Sequence, residues 1–124
     1  MQRSFTNILC DSPHVTASFY EQLLGMKRHA DFGWFIILTH EDIPSLEFGF
    51  LDRFHETVPN EVSAKPTGVI VTFVVEDVVK CYETAQEMQA DIIQPPTDMF
   101  YGQRRMLIRD PEGTVIDVSS LTPE

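Results

Sequence analysis

The feature that most constrains this chain is a pattern written twice along its 124 residues. Each half predicts a strand, then a helix, then three further strands, and the halves cover about residues 1–52 and 68–122. The segment 53–67 between them is polar and contains Pro59 and Pro66, so it predicts a connector. Two units are too few for a solenoid. The chain, 1–124, is therefore predicted to be a single α+β domain of two modules.

Both helices are predicted from capping residues and apolar spacing. Ser12 is suited to cap a helix over 12–24, and Gly25 is suited to end it. Asp77 is suited to cap a second helix over 77–89. The residues predicted to face inward are Val15, Phe19, Tyr20, Leu23 and Leu24 in the first helix, and Val78, Cys81, Tyr82, Ala85 and Met88 in the second.

The strands are predicted from apolar and β-branched runs between turn residues. They cover 4–11, 27–31, 35–39 and 46–51 in the first half, and 68–75, 91–95, 104–109 and 115–120 in the second.

Charge and cysteine content exclude several classes of protein. Lys and Arg number 9 against 19 Asp and Glu, so the formal charge is −10. An acidic chain of this kind is not expected to bind nucleic acid or an anionic membrane. Cys10 and Cys81 are too few for a disulfide scaffold, and no basic-then-apolar leader begins the chain. We therefore expect a cytoplasmic protein.

Two stretches carry a family resemblance. Residues 18–26, Ser-Phe-Tyr-Glu-Gln-Leu-Leu-Gly-Met, place an aromatic pair before Leu-Gly. Residues 101–113 end in an Asp-Pro-Glu-Gly turn and run into Ile-Asp-Val at 116–118. Together they resemble the glyoxalase, bleomycin-resistance and extradiol-dioxygenase superfamily, also called the vicinal oxygen chelate superfamily. The resemblance implies two tandem βαβββ modules that form a curled sheet around a cleft, with the helices outside, in a homodimer.

The resemblance also implies where a metal would bind. The corresponding positions here are Phe5, Glu47, Val69 and Asp117. Phe5 and Val69 cannot donate a lone pair, whereas zinc, nickel and iron sites use imidazole or thiolate ligands. We therefore expect no cofactor, and neither standard glyoxalase I nor ring-cleaving dioxygenase activity. Glu47 and Asp117 could at most hold a divalent metal such as magnesium weakly. None of the histidines stands at a ligand position: His14, His29, His40 and His55.

Strand alternation predicts which side chains face the cleft. The list comprises Phe5, Asn7 and Leu9, then Ser45, Glu47 and Gly49, then Val69, Val71 and Phe73, then Arg105, Leu107 and Arg109, and finally Asp117 and Ser119. Aromatic residues expected at its rim are Trp34, Phe35, Phe54, Phe100 and Tyr101, although Trp34 and Phe35 are equally suited to a dimer contact. This mixture of apolar walls and a few polar groups is typical of a small-molecule site. The predicted ligand-binding residues are Phe5, Asn7, Trp34, Glu47, Phe54, Val69, Tyr101, Arg105 and Asp117.

The leading functional hypothesis is binding of a small aromatic or cationic organic molecule in a metal-free cleft, similar to the drug-sequestering members of the family. The alternative is a glyoxalase-like lyase or isomerase that uses Glu47 and Asp117 as base and acid, with or without a weak divalent metal. A third hypothesis is an accessory module whose cleft serves assembly. In a further alternative the cleft is idle because Glu47 and Asp117 pair with Arg105 and Arg109. The expected partners are a small-molecule ligand and a second copy of the chain, with no nucleic acid and no membrane.

Overall fold

A computed structural model describes residues 1–122, so positions 123 and 124 of the predicted domain lie outside the described residues. The chain divides into two compact units, Met1–Thr67 (unit one) and Gly68–Glu124 (unit two). Each unit holds one α-helix and one four-stranded sheet. The predicted α+β fold of two tandem βαβββ modules is therefore confirmed. No helix within residues 1–122 is both long and apolar enough to cross a bilayer.

Unit one consists of β1 (Thr6–Cys10), α1 (Pro13–Leu24), β2 (Lys27–Asp31), β3 (Phe35–His40) and β4 (Ile43–Asp52). Its sheet has the order β1-β4-β3-β2, in which β1 is parallel to β4 and the other pairs are antiparallel. The connector adds a single 3₁₀ turn at Asn60–Val62.

Unit two repeats this topology with β5 (Ile70–Val74), α2 (Val78–Glu87), β6 (Asp91–Asp98), β7 (Gln103–Arg109) and β8 (Val115–Leu121). The order is β5-β8-β7-β6, and again only the first pair is parallel.

The helix ends follow the predicted capping chemistry at three of four termini. The Ser12 hydroxyl accepts from the Val15 N–H at 3.3 Å, and Asp77 accepts from the N–H groups of the first turn of α2. Gly25 closes α1 in the left-handed conformation with φ 68°. The helix α2 stops at Glu87, two residues before the predicted end at 89, because Gln89 adopts φ 56°, which cannot continue a right-handed helix.

The core of unit one is an aromatic cluster between α1 and β4. The Tyr20 ring lies 5.4 Å from Phe48 and 5.1 Å from Phe50, and all three residues are buried. Burial of each such side chain stabilises the fold by roughly 1.5–3 kcal/mol. Val15, predicted to face inward, is exposed, and Thr16 takes its place in the buried stripe.

The core of unit two lies between α2 and the central strands of its sheet. Met106 and Ile108 on β7 and Ile116 and Val118 on β8 are completely buried. By alternation, Arg105, Leu107 and Asp117 lie on the other face of that sheet. This agrees with the predicted orientation of β7 and β8.

The predicted face of the fifth strand is wrong. Val71 pairs with Ile116 and Phe73 pairs with Val118, so both lie on the helix face, while Val69 precedes the strand. Thr72 pairs with Asp117 and shares its face instead. The reason is that the run Val-Ile-Val-Thr-Phe-Val is apolar or β-branched at every position, so alternation offers no signal for its orientation.

Candidate functional site

The side chains that best form a site lie in unit one, on the face of its sheet opposite α1. An aromatic strip, defined as Phe5, Phe35, Trp34 and His55, begins on this face and continues past the start of β3. The Phe5 and Phe35 rings stack with centroids 6.2 Å apart, and Phe35 lies 5.7 Å from Trp34. The Trp34 and His55 rings are nearly parallel, at 8°, with centroids 3.8 Å apart.

A glycine in β4 makes room for this arrangement. A Cβ at position 49 would overlap the side-chain oxygen of Asn7 and lie 3.0 Å from Cε1 of Phe35. The side chains of Asn7 on β1 and Phe35 on β3 therefore both lie over the β4 backbone at Gly49, and they come from the two strands that flank β4. Because a side chain at position 49 would displace both, Gly49 sets the floor of the site.

Glu47 lies beside the strip and is held by Arg3. The Arg3 Nε lies 2.7 Å from Oε2 and 3.0 Å from Oε1, and its Nη2 donates to Oε1 as well. The same guanidinium lies 4.8 Å from the centroid of the Phe5 ring, within cation–π distance. These hydrogen bonds hold the pKa of Glu47 below its usual value and raise that of the guanidinium.

Two exposed side chains, a guanidinium and an imidazole, lie around Glu47. The Glu47 side chain is only 13% exposed, whereas that of Arg3 is 55% exposed. His29 is 57% exposed, and its Nε2 lies 4.0 Å from Glu47 Oε1. A molecule that approaches this face therefore meets a guanidinium and an imidazole before it meets the carboxylate.

Unit two carries a second, smaller set of polar groups on the face of β8 that bears Asp117. The Thr72 hydroxyl donates to Asp117 Oδ2 at 3.2 Å. Within residues 1–122, the buried Asp117 Oδ1 and Ser119 Oγ atoms have no hydrogen-bond partner. Arg105 donates to Gln94 Oε1 at 3.1 and 3.3 Å, so its contact is with a neutral amide.

The partners of Arg105 and Arg109 differ from those considered from the sequence. Arg109 pairs with Asp91 at 3.3 Å, and Arg105 bonds to Gln94, so the idle arrangement in which these arginines pair with Glu47 and Asp117 is wrong. Sequence reasoning missed Arg3. Its position two residues before Phe5, and four before Asn7, is the signal that could have found it, because alternate residues of an extended chain share a face.

The predicted ligand-binding residues fall into three groups. Phe5, Asn7, Trp34 and Glu47 come together in unit one, while Arg105 and Asp117 share a face in unit two. Phe54 is exposed and lies beneath the Arg53 guanidinium, 4.2 Å from it. Tyr101 lies in the β6–β7 turn, where it packs edge to face on Phe100. Val69 precedes β5.

The donor set does not fit the metal that the resemblance implies. Phe5 and Val69 offer no lone pair, and both oxygens of Glu47 already accept from Arg3. Within residues 1–122, no three His, Cys, Asp or Glu side chains lie close enough together to share one ion. These residues support no reaction step through a bound metal.

Comparison with known families agrees with this fold. The model of the Glyoxalase/Bleomycin resistance protein/Dioxygenase superfamily matches residues 4–118. The chain belongs to this superfamily. The resemblance inferred from residues 18–26 and 101–113 is thereby confirmed. A comparison with curated proteins found no significant match.

Several solved structures share the fold over nearly the whole chain. A glyoxalase/bleomycin resistance protein/dioxygenase family enzyme from Burkholderia phytofirmans PsJN is 19% identical, covers 96% of this chain and 98% of its own, and has a TM-score of 0.81. A possible glyoxalase from Bacillus cereus is 18% identical, with 95% and 97% covered and a TM-score of 0.70. TioX from Micromonospora sp. ML1 is 19% identical, with 98% and 100% covered and a TM-score of 0.71. At these identities the likeness concerns the fold alone.

Proposed function

We propose that this superfamily member binds a small organic molecule with a planar aromatic group on the aromatic strip of unit one. The observation that carries the proposal is the continuous run of ring–ring contacts beside the Arg3–Glu47 pair. A row of rings on a sheet face is suited to planar ligands, because ring–ring contacts contribute about 0.5–1.5 kcal/mol beyond the area they bury.

The side chains of the site have different roles in binding. Trp34 is exposed and Phe5 and Phe35 are half-buried, so each combines a fixed position with accessible ring surface. Asn7 is exposed beside Gly49, and its amide can orient a polar atom of the ligand. This combination of apolar surface with a few convergent polar groups is typical of small-molecule sites.

Binding without turnover is favoured over acid–base catalysis by the state of Glu47. A general acid or base works best when its pKa lies near the operating pH. The contact with Arg3 moves the pKa of Glu47 in the opposite direction, further below neutrality. The protein would therefore act by lowering the free concentration of its ligand, as in drug sequestration.

The experiment is a calorimetric titration with a panel of neutral planar fragments that includes naphthamide. We expect saturable binding that Phe35→Leu weakens by about tenfold, which is the loss of one stacking contact and its buried area. The matched control is Phe100→Leu, since Phe100 is 98% exposed in unit two. If no fragment binds, or if both variants weaken binding equally, the proposal is wrong.

A further inference from the structure

We infer that the ligand of the aromatic strip carries an anionic group, such as a carboxylate, that binds to Arg3. This inference rests on the proposed function and gives it a ligand class. It reverses the expectation from sequence that Glu47 would attract a cationic ligand, because the structure pairs Glu47 with an internal cation.

The first argument is the hydrogen-bonding capacity that remains on Arg3. A guanidinium carries five N–H groups in a planar fork. Glu47 engages Nε and Nη2, and Nη1 makes no hydrogen bond to any of the described residues. With the Arg3 side chain 55% exposed, Nη1 and the second N–H of Nη2 remain available to an oxygen of a ligand.

The second argument is the position of this charge relative to the rings. The Arg3 guanidinium lies over Phe5 at 4.8 Å, and Phe5 stacks on Phe35 at 6.2 Å. A planar ligand that contacts Phe5 as well as Phe35 would therefore bring a substituent at its edge toward the guanidinium. An aromatic carboxylate meets both requirements in one small molecule, because a carboxylate is the shape that a guanidinium binds best.

The third argument concerns the charged and polar groups next to Arg3, as opposed to the charge of the whole chain. Glu47 carries the only negative charge in contact with this guanidinium among the described residues, and its side chain is 13% exposed. The neighbouring His29 adds an exposed imidazole, whose Nε2 lies 4.0 Å from Glu47 Oε1. Although the whole chain carries a formal charge of −10, charges beyond about 10 Å are largely screened at ordinary ionic strength. Arg3 and Glu47 together carry no net charge, so the exposed N–H groups of the guanidinium, rather than a net positive charge, favour an anionic group.

The test compares three ligands of one shape by calorimetry: naphthoate, naphthamide and the (naphthylmethyl)ammonium ion. We expect naphthoate to bind about tenfold more tightly than naphthamide, as one added charge-assisted hydrogen bond predicts, and the ammonium ion to bind least well. Arg3→Gln should abolish this preference, so that naphthoate binds the variant no more tightly than naphthamide does. Arg104→Gln removes an arginine that pairs with Asp98 in unit two, so it controls for the change in total charge.

The possible outcomes distinguish this inference about an anionic ligand from the proposed aromatic-binding function. If naphthamide binds but naphthoate is no tighter, or if Arg3→Gln and Arg104→Gln weaken naphthoate equally, the inference is overturned and the aromatic-binding function stands. Tighter binding of the ammonium ion overturns it in the same way. If none of the three ligands binds, both are overturned. Thermal unfolding of each variant shows that it is folded, which is expected because Arg3 is exposed.

Discussion

At the scale of single residues, the defining contact is the one between Arg3 and Glu47. It joins a residue before the first strand to one in the fourth, 44 positions away along the chain. It neutralises the carboxylate at a position where the superfamily resemblance implies a metal ligand, and it presents a guanidinium to solvent instead. The site therefore has a built-in cation.

This pair predicts a pH dependence of stability. Because the pKa of Glu47 is lowered in the folded protein, its contribution is fully present above the ordinary value of 4.5 and is lost as the pH falls through the folded-state pKa. The melting temperatures of wild type and Glu47→Gln should thus differ at neutral pH and converge in acid. Glu56→Gln, which alters an exposed carboxyl, should show no such convergence. A difference for Glu47→Gln that persists or grows in acid would count against the assignment.

Removing the internal cation should free Glu47 to bind a metal weakly together with His29, with fewer ligands than the three or four of a protein zinc site. In Arg3→Ala, Glu47 loses its partner while His29 stays close, so Zn²⁺ affinity measured by calorimetry should rise by about tenfold or more over wild type. The double variant Arg3→Ala/His29→Ala should lose this gain. Equal affinity of wild type and Arg3→Ala, or wild-type protein that is purified with one equivalent of metal, would contradict this view of Arg3.

At the scale of elements, the site depends on the space that β4 leaves between side chains of its two neighbours, β1 and β3. Asn7 on β1 and Ile37 on β3 both pair with Gly49 on β4. The missing side chain at this point lets Asn7 and Phe35 occupy the same face. The geometry of the strip is thus a property of three strands rather than of one.

The variant Gly49→Ala should destabilise the protein by about 1–3 kcal/mol, because its Cβ overlaps Asn7 and contacts Phe35. In the background Asn7→Ala, which removes the overlapping oxygen, the same change should cost less. Denaturant unfolding of the four proteins measures this coupling. Strict additivity of the two changes would show that Asn7 does not lie over Gly49.

The sequence predicted elements best where the determinants are local. Ser12 and Gly25 bound α1, and β2 has the predicted bounds, since both depend on neighbouring residues. The predicted end of β6 at Pro95 was too early because β6 is an edge strand, where proline is tolerated. Pro44 lies in β4 before the part of that strand that pairs with β1, so its missing N–H costs little.

The parts of the site that the sequence did not predict depend on register and distance. Phe73 was assigned to the wrong face because both faces of β5 carry apolar or β-branched side chains. The partner of Glu47 was missed because Arg3 precedes the strand and the contact is nonlocal. By contrast, Phe5, Asn7 and Glu47 were placed on a common face correctly, since the alternation of β1 and β4 is clear.

At the scale of the whole molecule, we propose that the protein is a homodimer. The edge strand β5 supports the dimer, because its side chains Ile70 and Val74 are 61% and 62% exposed. Exposed apolar side chains that share one face of an edge strand are suited to contact a second copy. Metal-free aromatic binding would then occur at two equivalent sites.

Light scattering of the purified protein should give twice the mass of one chain. Val74→Glu places a charge in the proposed contact and should shift the protein toward the monomer. Val62→Glu alters a comparably exposed valine in the connector and should leave the mass unchanged. A monomeric wild type, or a Val74→Glu variant that remains fully dimeric, would contradict the proposed interface.

The most direct test of the account is to locate a bound ligand by NMR. When naphthoate is titrated into isotopically labelled protein, the largest backbone amide shifts should fall on Arg3, Phe5, Trp34, Phe35 and Gly49 in unit one. If the largest shifts instead fall around Asp117 and Ser119 in unit two, or if no residue shifts saturably, the aromatic strip is not the binding site.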